Sequence, residues 1–528
     1  MAHYLVVAGL ALVAVLLRLW QIDRESLWLD EAGRAAIASL PFSQIAHGVA
    51  VVELSPPLYH YVLAAWMRVI GDGDAAVRLL SALLVVPAVA LAWSLGRAVA
   101  GSFVGLGAAA MVAVNPFAVH YGQEAAMYGL LLPLGLAAIR AAVGALTPLP
   151  NPPPQGGRGF VDSPSPSTGE GWGGGENPTI AARRARWLLA YVVLGTVALY
   201  AHYYAGFLLF TVAVVGIAYS LARRASHGAA IWLAAHAAIA LAFVPWLSSL
   251  VSQAGLAASV EEWRGMGPGE ALLSWSGALV ADGAAGWAGP VALGVAIAGS
   301  ALGAWRLRGR GPVVWLLVAL VVVPLVLATL ASGFFHSFRE RGFIVVAGAP
   351  WVLIACALFG QNDAGEGDGP SRSDLALRAV LGVGVLLVTG LGLSAHYAER
   401  KEDWRGAASA VAADAGPRDP IFFVHYAAQI PFDRYFHGLQ SGTPPKIGLP
   451  ASFDWAEGYH ARYRVNPIDV SRRVPPALTG ARQAWAVLSH DGGRGSEHLI
   501  AALDSWGTRV GEHRLVGVRV LRYQAQSL

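Results

Sequence analysis

Three carboxylates and two arginines stand out in a 528-residue chain of which only 13% is charged. Asp30 and Glu31 follow Ser26-Leu27-Trp28-Leu29, just beyond a first apolar stretch. Adjacent acids at a membrane edge are costly to bury, so they are expected to face water, a cation or a substrate. The competing reading makes Asp30 the cap of an amphipathic helix over 32–48. Glu124 lies in His120-Tyr121-Gly122-Gln123-Glu124-Ala125-Ala126-Met127-Tyr128, at the start of a later apolar run. A simple interaction with a helix N-terminus would also account for it. Arg339 and Arg341, in Phe338-Arg339-Glu340-Arg341, carry the planar donor fork that suits a phosphate. Snorkelling, or pairing with Glu340, is the alternative for Arg341. Taken together, these residues could do group transfer from a phosphate ester. A carboxylate would take the proton of an acceptor hydroxyl, and an arginine would hold the departing phosphate.

Aromatic and histidine residues accompany them. Ser55-Pro56-Pro57-Leu58-Tyr59-His60-Tyr61 predicts a short interfacial helix over 58–70. A later turn adds His202-Tyr203-Tyr204. Tyr59, His60, Tyr128 and His202 form the candidate substrate-binding set, although a histidine among interfacial aromatics is commonly just hydrogen-bonded.

The elements that must position these groups are membrane helices. Hydrophobic residues make up 55% of the chain, and charged residues fall well below the roughly 25% of soluble domains. A disordered chain, a fibrous repeat and an ordinary soluble enzyme are excluded. Stretches of about 20 apolar residues predict eleven spans, near 4–20, 76–96, 102–119, 126–146, 187–203, 205–222, 229–249, 287–305, 312–331, 342–360 and 378–395. Arg97, Arg183, Arg184, Arg186, Arg223, Arg224, Arg306, Arg308 and Arg310 then fall on one side, which the positive-inside rule makes cytoplasmic. Asp30, Glu31, Glu124 and Arg341 fall on the other. The N-terminal stretch lacks a basic n-region and a cleavage site, so it is read as the first span rather than a signal peptide.

Residues 1–396 form the expected membrane body, with 21–75 as its first outer loop. Residues 147–182, rich in Pro, Gly and Ser, are expected to be a disordered cytoplasmic insertion. Residues 397–528 hold 29 charged residues among 132, about twice the density of the body. They are expected to form a small extracytoplasmic α/β domain, with a helix over 402–415 and strands at 421–424, 484–488 and 515–523. That domain carries no metal motif and no nucleophile elbow, and reads as a scaffold or acceptor-binding unit. Cys356 is the single cysteine, so no intrachain disulfide exists. The net charge of +4 comes from scattered arginines with no basic stripe, which argues against nucleic acid.

Trp28-Leu29-Asp30-Glu31-Ala32, Ser55-Pro56-Pro57-Leu58-Tyr59-His60-Tyr61, Ala76-Val77-Arg78-Leu79-Leu80-Ser81-Ala82-Leu83 and His120 to Tyr128 occur in that order. As a set they resemble the bacterial family 39 glycosyltransferases. These are relatives of the protein O-mannosyltransferases and the lipid A aminoarabinose transferases, and have the GT-C membrane fold. Lys401-Glu402-Asp403-Trp404-Arg405-Gly406-Ala407-Ala408 resembles the start of the extracytoplasmic domain of many members. The likeness covers residues 1–140 well and the Arg339–Phe343 segment loosely. One departure is Ser55, where many relatives have His before Pro-Pro.

The resemblance implies a polytopic α-helical GT-C protein of the bacterial inner membrane, working on its periplasmic side. It implies a polyprenyl-phosphate sugar donor, usually undecaprenyl phosphate, transfer with inversion, and a lipid, glycan or protein acceptor. By position, Asp30 is implied as general base with Glu31 beside it. Glu124 is implied as the second acid, orienting the acceptor or binding a cation. Arg341, with Arg339, is implied to face the donor phosphate. No obligatory cofactor is expected, although Mg²⁺ or Mn²⁺ on Asp30 and Glu124 stays open. A transporter or flippase for a lipid-linked precursor is the second functional reading. It would place its ionisable residues near the bilayer midplane rather than at one interface.

Overall fold

Runs of Ala, Val, Leu and Gly become helices throughout the first 400 residues of the computed structural model. The structure describes the chain apart from residues 147–177, 260–267, 281–286, 336–338, 361–370, 438–441, 453–463, 493–494 and 527–528. The body runs α1 (Ala2–Leu19), α2 (Leu29–Ala38), α3 (Phe42–Val52), α4 (Leu58–Ile70), α5 (Asp74–Leu83), α6 (Val85–Ala100), α7 (Ser102–Val114), α8 (Pro116–Gly122) and α9 (Tyr128–Leu146). It continues with α10 (Pro178–Ala201), α11 (Ala205–Ala222), α12 (Ser226–Phe243), α13 (Leu247–Ser259), α14 (Pro268–Val280), α15 (Ala288–Arg306), α16 (Pro312–Phe335), α17 (Gly348–Phe359) and α18 (Arg372–Ala398).

Among the described residues, eight helices are long and apolar enough to cross a membrane, or nine if the bent pair α7–α8 counts as one span. The chain is thus a multi-span membrane protein, with fewer clear spans than the eleven expected. Two segments account for the difference. α17 is only 12 residues long and lies buried among other helices, shorter than the roughly 20 residues a crossing needs. α10 has 24 residues, but Arg183, Arg184 and Arg186 occupy its first turns. α10 also begins at Pro178, so the final residues of the expected insertion are helical; residues 147–177 lie outside the described part.

The first loop, over 21–75, is helical too. The amphipathic stretch expected over 32–48 is two helices, α2 and α3, broken at Ser39-Leu40-Pro41. Pro41 precedes α3 and Pro57 precedes α4, where proline's fixed φ suits a helix start. Asn115 ends α7 and caps α8, its Oδ1 accepting the Ala118 N–H at 3.3 Å, and the two helices meet at a 52° bend. That bend delivers His120 and Glu124 to the end of the bundle.

Two glycines fix close approaches. A Cβ on Gly303 in α15 would lie 1.9 Å from the Leu353 carbonyl oxygen of α17, and one on Gly135 in α9 would lie 2.1 Å from the Val345 oxygen. Small residues let membrane helices approach this closely. The second contact seats the short turn Glu340–Val345 that carries Arg341.

The tail is a three-layer α/β unit. Five strands, β1 (Ile421–Val424), β2 (Lys446–Gly448), β3 (Gln483–Ser489), β4 (Gly507–Leu515) and β5 (Val518–Ala525), form a sheet of order β2-β1-β3-β5-β4. β1 is parallel to β2 and β3, whereas β5 runs antiparallel to β3 and β4. Side chains alternate between two cores: Phe422, Val424, Ala486 and Leu488 pack on one face, and Ile421, Phe423, Trp485 and Val487 on the other. α19 (Trp404–Asp414) and α20 (Gln429–Tyr435) contribute to the second core. α21 (Pro467–Leu478) and α22 (Ser496–Trp506) contribute to the first. The strand expected over 515–523 is found as β5, shifted at its start: β4 ends at Leu515, Gly517 turns with φ +65°, and β5 begins at Val518.

Candidate active site

α2 begins at Leu29, so Asp30 and Glu31 lie in its first turn, where the helix dipole favours acids. Their directions differ. Asp30 is 31% exposed, and its Oδ2 meets two guanidinium groups, Arg34 Nη2 at 3.3 Å and Arg341 Nη1 at 3.4 Å. Arg34 is one helical turn on, the spacing at which side chains meet. It is nearly buried, and its Nε also approaches Glu53 Oε1 at 3.4 Å. Glu53 in turn lies 3.7 Å from Nε2 of the buried His60. Burial alone would raise Glu53, but Arg34 and His60 bring it down to about 2. The guanidinium of Arg341 stands 5.5 Å from the ring centre of Tyr128, and that ring lies 5.5 Å from His202. Burial, reinforced by Arg341 and Arg34, lowers His202 to about 3, so the ring is neutral. Its Nδ1 accepts the Tyr204 N–H at 3.1 Å, which leaves the proton on Nε2.

Glu31 corrects the expectation that both adjacent acids face outward. It is fully buried. Arg78 donates to it from Nη2 at 2.6 Å and from Nε at 2.9 Å, and the Ala125 N–H donates at 2.9 Å. Arg78 also ties down the approach to α2, donating to the carbonyls of Ile22, Glu25 and Ser26 at 2.8–2.9 Å. Glu124 is buried as well, with Lys401 Nζ at 2.9 Å and His120 Nε2 at 3.3 Å. Burial would raise both acids, yet Lys401, joined by Arg78 at Glu31 and by His120 at Glu124, holds them below the ordinary carboxylate range. Opposed charges outweigh desolvation here. Glu31 and Glu124 therefore form one ion cluster, and Asp30 belongs to another with Arg34, Glu53 and Arg341.

Other expected residues divide in the same way. The structure brings Arg341, Tyr128 and His202 to the Asp30 side. Tyr59 and His60 are wholly buried, with rings 6.0 Å apart at 81°, so they support the site from behind rather than line it. Arg339 is fixed through its backbone N–H, which donates to Tyr204 Oη at 2.7 Å, and Asp30 pairs with Arg341 instead. Asp30 and Glu124, the expected metal pair, sit in separate clusters that already hold cations. Among the described residues, the group of three potential metal donors that comes together is His120, His396 and Glu399.

Sequence reasoning missed Arg34, Glu53 and the contribution of the tail. The spacing of Arg34 from Asp30 was a usable signal, Glu53 gave none, and Lys401 stood out only as the first residue of the family-like segment 401–408. The tail reaches the site through its first residues. Lys401 joins the buried cluster, and Glu402 Oε2 accepts the Leu29 N–H at 3.2 Å, satisfying an orphan donor at the start of α2. Ser26 Oγ donates to the Glu402 carbonyl at 2.5 Å and accepts the Trp404 N–H at 3.0 Å. Tyr435 Oη accepts the Leu27 N–H at 2.7 Å. Asp74, at the start of α5, receives Arg405 at 2.6 Å and Arg434 at 2.9 Å.

The multi-span bundle, with its helical first loop and α/β tail, has the GT-C fold, as its likeness to the solved structures below shows. Residues 55–147 match the family described as dolichyl-phosphate-mannose-protein mannosyltransferase. ArnT from Cupriavidus metallidurans in the apo state aligns over 99% of this chain and 98% of its own, with a TM-score of 0.56 and 15% identity. The same protein bound to undecaprenyl phosphate aligns over 98% and 97%, again with a TM-score of 0.56 and 15% identity. The archaeal oligosaccharyltransferase AglB from Archaeoglobus fulgidus, in complex with an inhibitory peptide and a dolichol-phosphate, covers 100% of this chain and 74% of its own, with a TM-score of 0.55 and 12% identity. No curated protein matches in sequence.

Proposed function

We propose that this protein transfers a sugar from a polyprenyl-phosphate donor to an acceptor hydroxyl, with inversion, at the membrane face that its arginine distribution makes periplasmic. The bacterial inner membrane is the proposed location. The observation that carries the reading is the part-exposed Asp30 carboxylate beside Arg341 on a GT-C fold. The undecaprenyl phosphate bound by ArnT supports the choice of donor.

The reaction is a single displacement. The acceptor oxygen attacks the anomeric carbon, and the new C–O bond forms as the bond to the phosphate oxygen breaks. Both arginine contacts fall on Asp30 Oδ2, which leaves Oδ1 to receive the hydroxyl proton. A positioned base contributes typically about 10²–10⁴-fold. The electron pair departs with the polyprenyl phosphate, and Arg341 offers preorganised charge to it. Glu31 and Glu124 act at one remove, holding α2 and the 120–128 turn in register. The acceptor is a lipid, a glycan or a protein.

Purified protein given a radiolabelled polyprenyl-phosphate sugar and a membrane extract as acceptor source tests the reaction. Release of polyprenyl phosphate together with label on a new species is expected. Movement of intact donor across a vesicle membrane without cleavage would make the protein a transporter and overturn the proposal. Lipid and glycan mass spectrometry of a deletion strain then identifies the acceptor by the species that disappears.

A further inference from the structure

His120, near the end of α8, meets His396 and Glu399 at the end of α18, and one donor atom from each lies within 4.8 Å of the other two. His396 lies in the last turn of α18, and Glu399, three positions on, is the residue that caps its end. The surroundings fix both rings. Gln123 Nε2 donates to the carbonyls of Trp20 at 2.7 Å and Arg18 at 3.0 Å, which makes Gln123 Oε1 the acceptor end of that amide. His396 Nε2, 2.6 Å from Gln123 Oε1, is therefore the donor. His120 Nε2, 3.3 Å from Glu124 Oε1, donates in the same way to a carboxylate. With Nε2 as the donor, Nδ1 is the nitrogen whose lone pair a metal would take, any proton on it leaving as the ion binds. Metal-bound histidines typically donate their second ring N–H to a carboxylate or carbonyl oxygen, the arrangement found at both rings here.

We propose that His120, His396 and Glu399 bind one divalent cation of the borderline class, with Zn²⁺ the best fit. Two imidazoles and one carboxylate suit zinc, whereas Mg²⁺ and Ca²⁺ require oxygen-rich sets. Zinc bonds of about 2.1 Å require the three donors to close together from their present spacing. Glu399 is exposed and His396 part-exposed, so both have room to move. The ion would fasten the end of α8 to the end of the last span, where the chain leaves for the α/β tail. Through His120 it would also brace Glu124. The proposal does not depend on the transferase reading, because metal occupancy is measured without substrate.

The test uses the full-length protein in detergent, stripped with a chelator, loaded with Zn²⁺ and washed. Mass spectrometry of the metal content is expected to give one zinc per chain. Co²⁺ in its place is expected to give the visible bands of a four-coordinate centre, completed by water. Glu399→Gln alters only an exposed side chain and is expected to weaken zinc binding about tenfold or more. His396→Ala should abolish both the zinc and the cobalt bands. No retained zinc in the parent protein would overturn the proposal. So would zinc retained equally in both variants, or zinc lost on Asp30→Asn but not on Glu399→Gln.

Discussion

At the scale of single residues, the two members of the Asp30-Glu31 pair do different work. Glu31 is sealed between Arg78, Lys401 and the Ala125 N–H, and Asp30 is left part-exposed between Arg34 and Arg341. The first-turn position was readable from the sequence, but the burial was not. Arg78 is 47 residues away, and adjacency in sequence does not say which carboxylate turns inward. The same holds for Glu124, whose partner Lys401 is 277 residues away. Arg341→Gln is expected to raise the KM for the lipid-linked donor about tenfold to a hundredfold, the worth of one charge-assisted hydrogen bond. Donor-dependence kinetics measure this, and an unchanged KM would remove Arg341 from the phosphate site. Lys401→Met would leave Glu124 buried beside only His120, and is expected to cost about 3–5 kcal/mol of stability, read as a lowered melting temperature.

At the scale of elements, the helices of the first loop were legible in outline. The 58–70 helix appears as α4, with the Pro57 boundary as expected. The 32–48 helix was misjudged, because the break at Ser39-Leu40-Pro41 weighs more than its apolar periodicity. The turn carrying Arg341 depends on a contact no local pattern reveals, the backbone of Val345 against Gly135. Gly135→Ala is expected to destabilise the protein by about 1–3 kcal/mol through overpacking. It should also lower transfer activity, since the added methyl displaces the Arg341 turn. Thermal melting and activity of that one variant check both. The start of α2 depends on Glu402 in a similar way. Glu402→Ala leaves the Leu29 N–H without its acceptor, costs about 0.5–2 kcal/mol, and is expected to reduce turnover more than donor KM.

At the scale of the whole molecule, the low charge content correctly marked a membrane body. Among the described residues, eight or nine of the eleven expected spans have the length and hydropathy a crossing needs, and the short buried α17 is one that does not. The tail's two-sided sheet was legible from strands such as Ile421–Val424. Its docking onto the first loop was not, since Asp74, Arg405 and Arg434 meet only in three dimensions. Buried acids also set the response to pH. Glu31, Glu53 and Glu124 all have folded pKa values below the ordinary 4.5, Glu53 at about 2. A lowered carboxylate contributes stability that is complete above its unfolded pKa and is lost as pH falls through the folded one. Melting temperature in detergent is therefore expected to fall steadily as pH drops from about 4.5 towards 2. Glu53→Gln should flatten part of that decline.

The central claim is that Asp30 takes the acceptor proton during sugar transfer. Its most direct measurement is single-turnover transfer from a polyprenyl-phosphate sugar by the purified protein and by Asp30→Asn, which removes the base while keeping the shape. The rate is expected to fall by about 10²-fold or more, with donor binding and melting temperature nearly unchanged. Transfer by Asp30→Asn at the parent rate would contradict the account.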